Sequence, residues 1–218
     1  MPGEGSGSGS ASLLGRVEGG EGVVADPGVL LGYLSARCDD DVLRLGPDAR
    51  LRSGSVLYAG LRVGARLSTG HNVVLREESV LGDDVSVWSG SVVDYGCVVG
   101  NRVKIHTNCY VSQFTAIGDD AFLAPGVTLA NDVYPGSDAS AEAMRGPRIG
   151  AGAQLGVNAT VLPYVSIGAG SVVGAGSVVV RDVPAGVVVV GSPARVLRDV
   201  PGEDQVRGLL AARRGAAS

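Results

Sequence analysis

An aliphatic residue recurs at every sixth position along most of this chain. The series runs from Leu45 to Leu129, breaks, and resumes from Ile149 to Val179, with Thr69 as the one departure. The fourth residue after each of these positions is mostly small, and the third is usually Gly, Asn or Asp. We therefore expect short strands with inward aliphatic side chains, joined at corners whose backbone takes positive φ.

A longer period of eighteen residues lies over the first. A glycine directly follows every third aliphatic position: Gly46, Gly64, Gly82, Gly100, Gly118, Gly150 and Gly168. Three strands thus make one coil, and the pattern predicts an all-β, triangular parallel solenoid of about seven coils from Leu45 onward. A parallel sheet with crossover helices is excluded, because residues 45–134 leave no room for helices between the strands.

Composition and charge narrow the function classes. The 218 residues include 35 glycines, 45% hydrophobic and only 4% aromatic residues, so the core must be Val, Leu, Ile and Ala. A net charge of -4 without a basic run predicts neither nucleic acid nor an anionic membrane as partner. We see no signal peptide and no membrane span, and the three cysteines lack disulfide spacing, so we expect reduced thiols and a cytoplasmic protein.

Three motifs carry a family resemblance over about residues 45–198: "FLAPGVTLANDVYP", "IGAGAQLGVNATVLPYVSIGAGSVVGAGSVVVRDVP" and "VVVGSPARVLRD". With the hexad repeats they resemble the hexapeptide-repeat acyltransferases. That resemblance implies a left-handed parallel β-helix, a homotrimer, and acetyl-CoA or another acyl-CoA as the acyl donor. The run "KIHTNCYVSQFTAIGDDAFLAPGVTLANDVYP" is most similar to the N-acetyltransferases of nucleotide-linked amino sugars.

The organisation expected along the chain has four parts. Residues 1–12 are predicted to be a disordered tail and residues 13–44 an irregular N-terminal cap with a partial coil. Residues 45–198 form the β-helix, interrupted by one loop insertion at 135–148. Residues 199–218 hold a short helix, from Glu203 to Arg213, and a tail.

The stretch "VKIHTNCYV" joins one of two histidines to one of three cysteines. In the six-residue register Cys109, like Cys97, falls in the small inward slot, so both cysteines are expected only to pack. His106 points outward and is our candidate general base, since imidazole suits proton transfer near neutral pH. His71 lies two coils below, about 10 Å away, so the two do not share a metal and no metal site is predicted.

Stacking by eighteen residues brings polar side chains into columns. One column reads Glu77, Tyr95, Gln113, Asn131, and its neighbour reads Glu78, Gly96, Phe114, Asp132. The columns are either a ligand surface or a polar ladder or trimer contact. By the resemblance, Asn131 and Asp132 lie at the active-site end.

The candidate residues divide into three sets. The catalytic candidates are His106, Asn131 and Asp132. The acceptor-binding candidates are His71, Glu77, Tyr95, Asn108, Gln113, Phe114 and Tyr134, although Asn108 equally suits a positive-φ corner. The resemblance places the coenzyme A groove at Val157, Ala175, Val180, Arg181 and Arg198, where arginine meets phosphate.

The function expected is acetyl transfer from acetyl-CoA to an amino group of a sugar, free or nucleotide-linked, or of a similar small polar metabolite. Two alternatives stay open at this stage. One is O-acetylation of a sugar or antibiotic hydroxyl, and the other is a non-catalytic β-helix that scaffolds partners.

Overall fold

The computed structural model describes residues 12–202 and 205–207, and it is a three-faced parallel solenoid. Strands are numbered in chain order. Face A holds β1 (Ser12–Leu13), β4 (Leu30–Tyr33), β7 (Val56–Tyr58), β10 (Val74–Leu75), β13 (Val92–Val93), β16 (Tyr110–Val111), β19 (Thr128–Leu129), β22 (Thr160–Val161) and β25 (Val178–Val179). Face B holds β2 (Arg16–Gly19), β5 (Val42–Leu45), β8 (Arg62–Val63), β11 (Val80–Leu81), β14 (Val98–Val99), β17 (Ala116–Ile117), β20 (Arg148–Ile149) and β23 (Ser166–Ile167).

Face C completes each coil. It holds β3 (Val24–Ala25), β6 (Arg50–Leu51), β9 (Ser68–Thr69), β12 (Ser86–Val87), β15 (Lys104–Ile105), β18 (Phe122–Leu123), β21 (Gln154–Leu155), β24 (Val172–Val173), β26 (Val187–Gly191) and β27 (Ala194–Asp199). The last two form an antiparallel hairpin, whereas all other pairs are parallel. The chain turns from A to B to C and back, and we name the turns the A–B, B–C and C–A edges.

The hexad rule is confirmed by burial and backbone conformation. In the two-residue strands from β6 to β25 the second side chain is buried inside the prism and the first points outward, as in Lys104–Ile105. The corner residue has positive φ at every hexad from Asp48 to Gly126 and from Gly152 to Gly176. Five of these corners carry residues outside the Gly, Asn and Asp set: Arg66, Glu78, Arg102, Phe114 and Tyr164.

The irregular Thr69 and both predicted inward cysteines lie in the core. Thr69 is 4% exposed, accepts a hydrogen bond from Arg52 N at 3.0 Å, and lies 3.3 Å from the Ser55 hydroxyl. Cys97 and Cys109 are buried, and burial raises the pKa of their thiols to about 12 and about 11. Both cysteines are therefore packing residues, as expected.

The number of coils exceeds the seven predicted. The described residues form sheets of nine, eight and ten strands, because strands β1 to β5 of the N-terminal segment also pair in the solenoid. The segment 13–44, expected to be an irregular cap, thus carries coils of its own. Its irregular part is residues 34–41, which lengthen the step from Leu30 to its partner Val56 by eight residues over the usual eighteen.

The predicted insertion returns the coils in phase. Ala116 pairs with Arg148, which is thirty-two residues on instead of eighteen, so fourteen residues are added. They include the short helix α1 (Asp138–Glu142). Both interruptions, 34–41 and 135–148, connect a face A strand to a face B strand and so leave the solenoid at the A–B edge.

The chain ends lie partly outside the described residues. The predicted disordered tail falls there except for Ser12, which begins β1, and of the predicted Glu203–Arg213 helix only residues 205–207 are described, as helix. No helix in the described ranges is long and apolar enough to cross a membrane.

Candidate active site

The predicted site residues lie mainly on two different edges of the prism. His71, His106, Asn108, Val157 and Ala175 stand on the C–A edge. The A–B edge carries Glu77, Tyr95, Gln113, Phe114, Asn131, Asp132, Val180 and Arg181. Six residues of extended chain span up to about 20 Å, so one chain does not bring the two groups into contact.

The A–B edge is organised around Asp94, a residue that the sequence analysis did not single out. The residue is 5% exposed, and its carboxylate accepts four hydrogen bonds. Tyr95 N (2.8 Å) and Arg76 Nη1 (3.2 Å) donate to Oδ1, whereas the Tyr110 hydroxyl (2.9 Å) and Gln113 Nε2 (2.5 Å) donate to Oδ2. Burial and the bond to Asp94 raise the pKa of Tyr110 to about 12, so its hydroxyl keeps its proton.

Above Asp94 the polar column continues as a hydrogen-bonded ladder. Asn131 Nδ2 donates to Gln113 Oε1 at 2.6 Å and lies 3.4 Å from the Met144 sulfur in the insertion. Gln113 and Asn131, two members of the polar column found in the sequence, therefore form a hydrogen-bonded ladder. We call the series Asp94, Gln113, Asn131 the amide ladder.

Glu77, at the lower end of the same edge, is buried and fully paired. Its side chain is 0% exposed, receives the Ser35 hydroxyl at 2.8 Å and forms an ion pair with Arg76 at 2.8 Å. Burial opposes ionisation of Glu77, but the bonds from Arg76 and Ser35 outweigh it and lower its pKa. Since Ser35 belongs to the 34–41 loop, Glu77 holds that loop against the edge.

Aromatic rings surround these charges. Tyr95, at 7% exposure, packs its ring edge-on against Phe114 with 5.4 Å between centroids. The Arg37 guanidinium, from the same loop as Ser35, lies 3.8 Å above the Tyr95 ring. Phe114 is exposed, so its ring lies at the surface of the edge.

The insertion is fixed to the upper end of this edge. Asp132 Oδ1 accepts hydrogen bonds from Tyr134 N at 3.0 Å and from the Ser140 hydroxyl, so Asp132 binds the loop. The loop encloses a hollow of about 320 Å³, whose lining includes Tyr134 and Tyr164. Tyr134 is 73% exposed, so its side chain is available to an acceptor.

His106, on the C–A edge, lies in a stack of rings. Its imidazole centroid is 3.9 Å from that of Trp88 below and 4.7 Å from that of Phe122 above. Burial, together with the nearby charge of Lys104, lowers the pKa of His106. The imidazole is therefore neutral at pH 7 and able to accept a proton.

His71 and Asn108 have local partners on the C–A edge. His71 Nδ1 is 2.9 Å from the Ser53 hydroxyl. Asn108 has φ 57°, and its Oδ1 lies 2.4 Å from where a Cβ at Gly90 would be, so its side chain covers that glycine. The same edge alternates Gly and Asn every eighteen residues, or thirty-two across the insertion (Gly54, Asn72, Gly90, Asn108, Gly126, Asn158, Gly176). This alternation was visible in the sequence and favours a structural role for Asn108.

Most of the candidates for coenzyme A are exposed, but they are divided between the C–A edge, with Val157 and Ala175, and the A–B edge, with Val180 and Arg181. Val157 is 45% exposed on the C–A edge, and Ala175 lies one coil above it. Arg181 and Arg195 line a cleft of about 160 Å³ between the last coil and the hairpin. Exposed arginines beside an open cleft fit a polyphosphate, and a small apolar column fits a pantetheine chain. Arg198, on β27, donates to Asp199 O at 3.1 Å.

In the described part of the chain, no group of three His, Cys, Asp or Glu side chains is arranged to hold a metal ion.

Two segments of the chain match a known family of repeat proteins. Residues 96–131 and 146–181 match the family described as bacterial transferase hexapeptide (six repeats). The chain is 42% identical over 84 residues to serine acetyltransferase 2 of Arabidopsis thaliana, covering 38% of this chain and 26% of the relative. It is 63% identical over 46 residues to the 2,3,4,5-tetrahydropyridine-2,6-dicarboxylate N-acetyltransferase of Clostridium perfringens, covering 21% and 20%. The chain thus spans about a quarter of the length of the curated relatives it matches, or less.

A solved structure shows the fold over nearly the whole chain. The UDP-N-acetylglucosamine acyltransferase from Campylobacter jejuni superposes with a TM-score of 0.68 at 14% identity, covering 92% of this chain and 80% of that one. The resemblance seen in the sequence is confirmed: residues 96–131 and 146–181 carry the hexapeptide repeats of the bacterial transferase family, and the chain has a left-handed parallel β-helix fold similar to that of this acyltransferase.

Proposed function

We propose that the protein is a coenzyme A-dependent acyltransferase that moves acetyl from acetyl-CoA to an amino group of a sugar, nucleotide-linked or free, or of a similar small polar metabolite. One observation carries the proposal. The two segments that match the bacterial transferase family, 96–131 and 146–181, contain both the polar candidates, such as His106 and Asn131, and the groove candidates, such as Val157 and Arg181. Relatives named as acetyltransferases of small molecules support the same class.

For this reaction the protein has to position the acceptor amine against the thioester and supply one proton acceptor. The acceptor nitrogen attacks the thioester carbonyl, a C–N bond forms, and the C–S bond breaks. A base takes the proton from nitrogen and the departing thiolate receives one. Neutral His106 suits the base, because its lowered pKa leaves it unprotonated at pH 7. A free amine is itself a good nucleophile, so we expect His106 to assist the reaction and not to carry it alone.

Two edges supply two halves of the site. The amide ladder and Asp132 bind the acceptor on the A–B edge, with Tyr134 of the insertion beside them. His106 and the apolar column of Val157 lie on the C–A edge. We infer a homotrimer in which the C–A edge of one copy faces the A–B edge of the next, because within one chain a whole face of the prism, up to about 20 Å wide, separates the halves. Free cysteines fit a reducing, cytoplasmic location.

The test begins with donor binding and proceeds to turnover. Acetyl-CoA at millimolar concentration should raise the melting temperature, since a ligand that binds only the folded state stabilises it. Release of coenzyme A thiol is then followed with D-glucosamine, UDP-linked glucosamine and L-serine, and with D-glucose as the hydroxyl counterpart. Turnover with glucose and none with amines would replace N-acetylation by O-acetylation. No thermal shift and no turnover would leave the scaffold function.

His106 is tested by two substitutions with different consequences. His106→Gln keeps a planar polar group between the neighbouring rings but cannot act as a base near neutral pH, whereas His106→Ala removes both. We expect kcat to fall about tenfold or more in both variants, which is less than the roughly hundredfold minimum typical of a general base, because the free amine is itself nucleophilic. An unchanged kcat between pH 6 and 8 would remove His106 from the mechanism without affecting the acyltransferase proposal.

A further inference from the structure

The buried Asp94 carboxylate has a fixed hydrogen-bonding polarity. All four of its partners are donors: a backbone N–H, a guanidinium, a phenol and an amide. A carboxylate only accepts, so the group that Gln113 turns toward it has to be the NH₂ of its side chain. Asp94 thereby fixes which way the Gln113 amide faces.

The orientation of the Gln113 amide in turn sets the orientation of the Asn131 amide in the next coil. With Gln113 Nε2 directed at Asp94, Gln113 Oε1 faces the next coil and accepts from Asn131 Nδ2 at 2.6 Å. Asn131 Nδ2 donates its remaining hydrogen to the Met144 sulfur at 3.4 Å. The charge on Asp94 therefore determines that Asn131 turns its NH₂ inward, two coils away.

The ladder ends on an open acceptor. None of the described residues donates to Asn131 Oδ1, and no buried side-chain oxygen or nitrogen in the described ranges lacks a hydrogen-bond partner. Asn131 Oδ1 is thus accessible to solvent, although the residue as a whole is only 9% exposed. A carbonyl oxygen with so little exposure suits a small donor group.

We propose that Asp94 is a positioning residue that keeps Asn131 Oδ1 directed at the acceptor amine, which makes the site selective for amines over hydroxyls. This rests on the proposed function. An attacking amine donates one N–H to Oδ1 and still has a second hydrogen for the base, with its lone pair directed at the thioester. A hydroxyl that donates its only hydrogen to Oδ1 has none left for the base, so it is bound but not activated.

The direction of the ladder is tested by reversing and restoring it. In Asp94→Asn the new NH₂ opposes that of Gln113, so both amides turn over and Asn131 presents its NH₂ outward. In Asp94→Asn with Gln113→Glu, the carboxylate at 113 accepts from both neighbours, and Asn131 returns to its native orientation with the same net charge. We expect kcat/KM for D-glucosamine to fall about tenfold or more in the single variant and to recover to within about threefold in the double variant.

A matched control isolates the effect of the site. Asp119 also accepts a side-chain amide from the coil below, from Asn101 Nδ2 at 3.2 Å, but on the B–C edge. Asp119→Asn should leave turnover within about twofold of the native protein. Melting temperatures of all variants are measured alongside, so that a loss of activity through unfolding is recognised.

A second readout does not depend on activity. Hydrogen exchange of the labelled Asn131 NH₂, followed by NMR, should be slow in the native protein and in the double variant, and fast in Asp94→Asn. Equal exchange in the native protein and Asp94→Asn would overturn the proposal that Asp94 sets the direction. If the amide turns over but amine turnover is unchanged, the positioning role is wrong and the acyltransferase stands. If the native protein acetylates no amine, the proposed function is wrong. Hydrogen exchange of the Asn131 NH₂ would still test whether Asp94 sets the orientation of the amide ladder.

Discussion

Replacing Gly90 with alanine should destabilise the coils through one identifiable contact. Gly90 has φ +71°, and a Cβ built there lies 2.4 Å from Asn108 Oδ1, so the side chain above would have to move away. Gly152 is the matched control, because it has φ +66° at an equivalent corner and no atom within 4 Å of its Cβ position. The two variants share the backbone strain and differ in the contact.

The magnitude follows from these two contributions. Left-handed backbone costs an L-residue about 1–2 kcal/mol, and the smaller conformational freedom of alanine in the unfolded chain returns about 0.4–1 kcal/mol. Gly152→Ala should therefore lose about 1 kcal/mol of unfolding free energy. Gly90→Ala adds the displacement of Asn108, which as overpacking costs about 1–3 kcal/mol more.

The assay is equilibrium urea denaturation followed by the fluorescence of Trp88, the one tryptophan of the chain, which lies two residues from Gly90. Combining Gly90→Ala with Asn108→Gly should recover most of the extra loss, since the second change removes the obstructing amide. If the two single variants agree within about 0.5 kcal/mol, Asn108 does not cover Gly90 as described. Its role as an acceptor-binding residue would then regain support.

Three further outcomes are expected. The pKa of His106 is lowered on folding, so the folded protein binds a proton there less readily than the unfolded chain. The free energy of unfolding should therefore fall as the pH drops below about 6.5. His106→Gln should remove this pH dependence in urea titrations at several pH values. Glu77→Gln should cost about 3 kcal/mol, because Arg76 loses a buried partner, which thermal unfolding would show. Cys97 and Cys109, with raised pKa and no access, should resist thiol reagents until the protein is unfolded, and their labelling in the folded state would contradict the inward assignment.

Sequence reasoning succeeded wherever a short repeat constrains the backbone. A side chain in every sixth position must fit the interior of a narrow prism, so Leu45 to Val179 could be placed inside without coordinates. The corners followed as well, since positive φ favours Gly, Asn and Asp. The coils before Leu45 were missed because the eight residues of 34–41 shift the register, and a six-residue count cannot cross them.

The candidate site was less predictable because it depends on which side chains pair. Glu77 and Gln113 were correctly placed on one edge, but whether such groups face solvent or each other is decided by rotamers and by loops that come from elsewhere in the chain. Ser35 lies forty-two residues from Glu77 and Met144 thirteen from Asn131. Asp94 was overlooked because only the two columns beside it were compared. The eighteen-residue stack of Arg76 and Asp94 was the available signal.

Because both interruptions leave the solenoid at the A–B edge, the number of coils between them fixes the distance between the two loops. From β4 to β19 there are five inter-coil steps, which at about 4.8 Å each separate the bases of the two loops by about 24 Å. That distance depends on the number of coils between the loops and not on the loops' own sequences. Duplicating one eighteen-residue coil between them would lengthen the gap by a single step and leave every strand in register, so the reach of this edge can change in discrete units while its chemistry stays the same.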